Sequence, residues 1–253
     1  MKNILAIVIC LCLHITFLIC QARGDIKIEG FSDKITKRIG NAELVVNNAG
    51  EISLTLNGKS LVKKDHAAFV HKDKFLYSSE WTKEPPEITI NDGEQKYEVI
   101  LSLKKAEIGE YRKVIILTAD SLSSKVTFNP IGNQPEVKYS YSFVLNGDIE
   151  GISAFTVNKN GIKSQGSLKD VMQWDIASAM SEVAFPKVDK NGLTLKFNTL
   201  VEAATPWHFN NLRKHSQENV RGINFNAGST FDNSREPREM SILLSWDSKK
   251  NGL

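Results

Sequence analysis

Beyond residue 20 the sequence has no cysteine; Cys10, Cys12 and Cys20 are the three that its 253 residues contain. All three lie in an apolar run, Ile4–Cys20, which Lys2 precedes and only His14 and Thr16 interrupt. Gln21-Ala22-Arg23-Gly24 ends the run and places small residues where a signal peptidase cuts, so residues 1–22 are expected to be a secretory signal peptide. An uncleaved anchor is the alternative, but a run of about 17 residues is at the short limit for crossing a bilayer. After cleavage no stable membrane insertion is expected, and residues 23–253 form one domain that is secreted, periplasmic or held in the cell envelope. That domain has no thiol, which excludes disulfides, Cys-ligated metal and thiol nucleophiles. Its core alone must hold it.

Charge of one sign is also lacking. Lys and Arg total 32 against 29 Asp and Glu, a formal net charge of +3. The short pairs Lys63-Lys64, Lys104-Lys105 and Lys249-Lys250 are no dense basic patch, and nucleic acid is excluded as a partner. Metal motifs are missing too. His66 and His71 are five apart, His208 and His215 seven, and no His-Glu-x-x-His occurs. Asp189 and Asn191 alternate in one loop, a fragment too common to define a Ca²⁺ site. There is no Gly-x-Ser-x-Gly elbow, P-loop or dinucleotide fingerprint, so no metal and no cofactor is expected.

What the sequence does have is turns and alternation. Asn-Gly or Asp-Gly pairs occur at Asn57, Asp92, Asn146, Asn160, Asn191 and Asn251, each suited to the positive φ angles of a hairpin turn. Period-two runs flank them: Glu51–Leu56, Glu87–Ile90, Tyr97–Leu103, Val137–Leu145 and Leu193–Phe197. Ala42–Val46, Ala67–His71, Lys74–Ser78, Lys113–Thr118, Lys125–Phe128, Ile152–Val157, Val220–Asn226 and Met240–Trp246 also read as strands. Val114-Ile115-Ile116-Leu117 is apolar on both faces and predicts a central strand covered on both sides. Leu168–Ala179 is the best helix candidate, and Trp207–His215 is expected to be a loop with a helical turn. The fold expected is all-β, a large antiparallel two-sheet sandwich with few short helices; a closed barrel is the alternative.

Some phrases carry a resemblance. Leu44–Leu61, with Asn57-Gly58-Lys59 closing a hairpin, resembles the start of galactose-mutarotase-like supersandwich domains. Trp174-Asp175-Ile176, followed by Phe185-Pro186 and Gly192-Leu193-Thr194-Leu195, resembles a later stretch of them. Sugar epimerases use this fold, as do domains attached to glycoside hydrolases and polysaccharide lyases. The resemblance therefore implies contact with an oligo- or polysaccharide. The epimerases use a His acid and a Glu base; none of His66, His71, His208 or His215 aligns with that pair, and no catalytic residue is carried over.

Thr205–His215 holds the densest chemistry: Trp207, His208, Arg213 and His215. An indole stacks on a pyranose face, and His and Arg donate to hydroxyls or a carboxylate. The alternative is that Trp207 plugs the core while Arg213 and His215 are merely solvated. Trp81 and Trp174 are further candidate platforms, whereas Trp246 alternates with Leu244 and Ile242 and belongs in the core. Glu202, Arg221, Asp232, Glu236 and Arg238 flank the same region, but nothing fixes the separation that paired carboxylates need. Three functions remain open: a non-catalytic carbohydrate-binding or carbohydrate-associated domain, an enzyme on that fold (sugar epimerase, polysaccharide lyase or hydrolase), and a structural or adhesive envelope protein.

Overall fold

The computed structural model describes residues 26–28, 34–71, 74–78, 86–105, 109–130, 137–188, 192–199, 205–228 and 238–246. The expected signal peptide, Trp81, Glu202, Asp232, Glu236, the Asp189–Asn191 fragment and the terminal Asn251-Gly252 lie outside them.

In chain order the strands are β1 (Ile26–Ile28), β2 (Ile35–Ile39), β3 (Ala42–Val46), β4 (Ile52–Leu56), β5 (Lys59–His71), β6 (Lys74–Ser78) and β7 (Glu87–Asp92). They continue with β8 (Tyr97–Lys105), β9 (Gly109–Leu117), β10 (Ser121–Pro130), β11 (Val137–Leu145), β12 (Ala154–Lys159) and β13 (Ile162–Ser167). The last six are β14 (Gln173–Ser178), β15 (Glu182–Phe185), β16 (Leu193–Thr199), β17 (Thr205–Asn211), β18 (Ile223–Gly228) and β19 (Arg238–Trp246). Ten strands form one sheet, ordered β1-β7-β8-β9-β10-β19-β16-β15-β12-β13. Eight form the other, ordered β14-β17-β18-β11-β5-β4-β3-β2, and β6 pairs with β5 as its ninth member. Every pairing is antiparallel, and no α-helix occurs among the described residues.

The reason is the period of two. In β19, Arg238, Met240, Ile242, Leu244 and Trp246 are buried while the residues between them are half-exposed. In β11, Tyr139, Tyr141, Phe143 and Leu145 face inward in the same way. Burying one face of each sheet against the other makes a single apolar layer. It is aromatic where β17 and β18 face the ten-stranded sheet: Phe209 and Phe225 stack at 5.0 Å, and Phe197 of β16 lies 5.1 Å from Trp207. Asn57-Gly58 and Asn160-Gly161 are the two-residue hairpin turns expected, with both residues of each pair at positive φ.

Several expectations are corrected. Leu168–Ala179 is no helix. Asn211 Nδ2 donates to the carbonyls of Lys169 and Val171, and Asp175 and Ala179 have φ of 50° and 55°, which no α-helix accommodates. Asp92-Gly93 is not a two-residue turn, because Asp92 pairs with Tyr97 and four residues intervene. Asn146-Gly147 leads out of β11 in one sheet toward β12 in the other. Val114 and Ile116 are half-exposed on the outer face of the ten-stranded sheet, not covered, while Ile115 and Leu117 are buried. The first seven residues of Thr205–His215 are the strand β17, because Trp207, Phe209 and Asn211 all point inward.

Candidate functional site

Opposed residues of an antiparallel pair point to the same side of the sheet. The register therefore defines a row on the outer face of the nine-stranded sheet. His208 of β17 opposes Asn226 of β18, Asn226 opposes Ser142 of β11, and Ser142 opposes His66 of β5. Four strands at about 4.8 Å spacing make this row about 14 Å long. Its members are half-buried, so their polar ends reach solvent without being loose.

A carboxylate stands at each end. His208 Nδ1 lies 2.8 Å from Asp175 Oδ1, with the ring nitrogen donating when it carries the proton. His66 Nδ1 lies 3.8 Å from Glu51 Oε1. Burial works to raise the Glu51 carboxyl, but hydrogen bonds from His66 and Asn47 and the charge of Lys64 outweigh it and hold the group below its usual range.

Local irregularity places Asp175. The β14–β17 pairing shifts register between Gln173 and Ala177, and Asp175 takes a left-handed φ of 50°, which Asp tolerates better than most residues. Its backbone N–H donates to Asn210 Oδ1 at 2.7 Å. Asn210 in turn donates through Nδ2 to Asn226 Oδ1 at 2.8 Å. One buried amide thus fixes both the strand that carries Asp175 and a side chain of the row.

A second row, Asn210–Asn224–Val144–Lys64, runs alongside. The segment after β17 folds back against it: Asn224 Nδ2 donates to Val220 O at 2.9 Å, and Lys63 Nζ donates to the carbonyls of Glu218 and Arg221. His215 lies in that segment, and its ring meets the edge of Trp174, 6.4 Å between centroids. Trp174 is 62% exposed. Its chain neighbour is Asp175, the carboxylate at the His208 end of the row.

Of the residues singled out in the sequence, His208 ends the row on Asp175, and His215 packs against Trp174, the residue before Asp175. Trp207 takes no part. Its side chain is buried, Tyr141 and Phe197 pack on it, and Nε1 donates to Asn198 O at 3.5 Å. The expectation that its indole stacks on a ligand is corrected: a side chain that faces inward at period two presents no face to solvent. Arg213 is occupied as well. Nε donates to Asn211 Oδ1 and one Nη to Lys169 O, so it ties down the segment leading to Trp174. Trp81 lies outside the described residues.

Sequence reasoning had not grouped Asp175, Asn210, Asn226, Ser142, His66 and Glu51. One signal was available. Asn is depleted in strands, yet Asn210 and Asn211 end β17, and Asn224 and Asn226 alternate with Ile223, Phe225 and Ala227 in β18. Among the described residues no cluster of three or more His, Asp, Glu or Cys could hold a metal ion. No helix among them is long and apolar enough to cross a membrane.

No protein-family profile matches the sequence, and no curated protein does. Solved structures do match at the level of the fold. Slr1438 from Synechocystis sp. PCC 6803 is 11% identical with TM-score 0.51, over 88% of this chain and 100% of that one. A mutant of heparan sulfate lyase HepC from Pedobacter heparinus is 6% identical with TM-score 0.55, over 88% of this chain and 36% of that one. The α-N-acetylgalactosaminidase NagBb from Bifidobacterium bifidum, solved with GalNAc, is 10% identical with TM-score 0.53, over 83% and 36%. This chain therefore spans about a third of the length of those two enzymes. The architecture expected from the sequence, a large antiparallel sandwich of two sheets, is the one found, and these structures share it.

Proposed function

We propose that this chain is an exported domain that binds a saccharide across the outer face of its nine-stranded sheet. The observation that carries the reading is the row His208–Asn226–Ser142–His66, closed by Asp175 and Glu51. Sugar hydroxyls both donate and accept, and so do an amide, a serine hydroxyl and a neutral imidazole. A row about 14 Å long suits several linked rings better than one. Exposed Trp174, next to Asp175 in the chain, supplies the apolar face on which a pyranose stacks. The fold shared with a heparan sulfate lyase and an α-N-acetylgalactosaminidase supports the class of ligand, and the leader-like residues 1–22 support export. Screening the protein on an oligosaccharide array, then by calorimetry with Asn226→Ala and Trp174→Ala, tests the reading. Binding that both substitutions weaken is expected; no binding, or binding that neither changes, would overturn it.

One feature favours a catalytic role on the same face. In the Asp175–His208 pair the carboxylate at Nδ1 orients the imidazole and leaves Nε2 as the nitrogen that could take a proton from a substrate. Turnover on a panel of sugars that His208→Gln abolishes, while binding persists, would establish it.

A further inference from the structure

β13 is the edge of the ten-stranded sheet. It pairs with β12 at all six of its residues, without a bulge and without proline. The neighbouring edge, β14 of the other sheet, differs: its register slips and Asp175 breaks its geometry. A distorted edge resists strand addition, whereas a regular one invites it. Apart from its half-exposed Gly166, β13 is exposed throughout.

Its core side has something to cover. Gly166, Ser164 and Ile162 oppose Phe155, Val157 and Lys159, so they share the side on which Phe155 and Val157 are buried. Ile162 is nevertheless 74% exposed, the most exposed large hydrophobic among the described residues. The Phe155 ring lies over Gly166, in the space a side chain there would need.

We propose that β13 pairs with β13 of a second copy, antiparallel, about a twofold axis through Ser164. A twofold perpendicular to the sheet keeps the core sides continuous, so each residue opposes one on the same side of the pleat. Centring on Ser164 sets Ile162 against Gly166 of the second copy, beside the Phe155 ring that lies over that glycine. It also sets Lys163 against Gln165. Centring on Lys163 would oppose two like charges, which destabilises a cross-strand pair. Centring on Gln165 would leave Ile162 beyond the paired residues of β13. A five-residue pairing buries less than the roughly 1,000 Å² of a tight interface, so the association is weak and concentration-dependent.

The test uses the full chain with Cys10, Cys12 and Cys20 changed to Ser. Ser164→Cys then holds the only thiol, about 5 Å Cα to Cα from its mate across the axis, within disulfide range. Gln165→Cys would stand about 8 Å from its mate and cannot bridge without backbone movement. Mild oxidation is expected to yield a covalent dimer from Ser164→Cys and little from Gln165→Cys. Sedimentation without these thiols should show self-association that Ser164→Lys weakens several-fold, since residue 164 is exposed and the variant folds. A species that stays monomeric at all concentrations, equal crosslinking at both positions, or a dimer indifferent to Ser164→Lys would overturn the proposal.

Discussion

Lys113 Nζ stands 2.7 Å from Asp65 Oδ2 between the two sheets, and both side chains are sealed from solvent. Every hydrogen-bonding direction around the pair is used. Lys113 also donates to Gly50 O at 2.6 Å, while Asp65 accepts from Tyr141 OH, Ser124 Oγ and the backbone N–H of Ile52. Lys113 and Ser124 belong to the ten-stranded sheet, Asp65 and Tyr141 to the other. Apolar faces slide over one another at little cost; this network fixes one sheet against the other.

Breaking half of the pair leaves a buried charge without its partner. Lys113→Met is expected to lower stability by about 3–5 kcal/mol, because the Asp65 carboxylate keeps neutral donors but loses its counter-ion. Adding Asp65→Leu should restore part of the loss, since two apolar side chains need no desolvation. Urea denaturation of the two variants checks this. A Lys113→Met variant as stable as the parent, or a double variant no more stable than Lys113→Met, would count against the account.

Alkali should weaken the fold through tyrosine. Burial, then the neighbouring Asp65 charge, pushes the Tyr141 hydroxyl well above its usual value, and burial with the charge of Asp92 raises Tyr97 to about 12. Both groups hold their protons more tightly when folded. Their contribution is fully present below the unfolded value near 10 and is lost as pH rises through the folded values. Urea midpoints should therefore fall steadily above about pH 10. Tyr141→Phe should be less stable at neutral pH, with a shallower decline in alkali. A flat alkaline profile for the parent chain would sink the idea.

The two tryptophans separate packing from binding. Trp207→Ala should cost about 3–5 kcal/mol by opening a cavity beside Tyr141 and Phe197. Trp174→Ala, on an exposed side chain, should change stability by no more than about 0.5 kcal/mol. It should weaken saccharide affinity about tenfold, or roughly 1.4 kcal/mol. Thermal melts and calorimetry on both variants separate the cases, and the reverse pattern would refute both assignments.

The strands were legible because alternation is a local property: β3, β6 and β11 coincide with the runs Ala42–Val46, Lys74–Ser78 and Val137–Leu145. Sheet order was not, because nothing local in β16 says that it pairs with β19. One end of the row was visible as the rich stretch around His208. Its partners come from β5, β11 and β18, which only the register aligns with it. Trp207 misled because aromatic content marks core and binding face alike. Asp175 hid within apparent helical spacing, since a bulge leaves no signature in a hydrophobicity pattern.

Two glycines with the same backbone angle give a further test. Gly151 and Gly161 both sit at φ of 81°, where an L side chain costs about 1–2 kcal/mol. Around Gly161 nothing lies within 4 Å of an added Cβ, so Gly161→Ala should lose about that and no more. At Gly151 the Cβ would overlap the backbone carbonyl of Lys187, which cannot rotate away as a side-chain tip could. Gly151→Ala must therefore also shift the link between β11 and β12 away from the segment after β15, at roughly 1–3 kcal/mol more. Chemical denaturation of the two variants should rank them in that order. Equal losses would mean that the left-handed backbone alone sets the cost, and that the Lys187 segment yields freely.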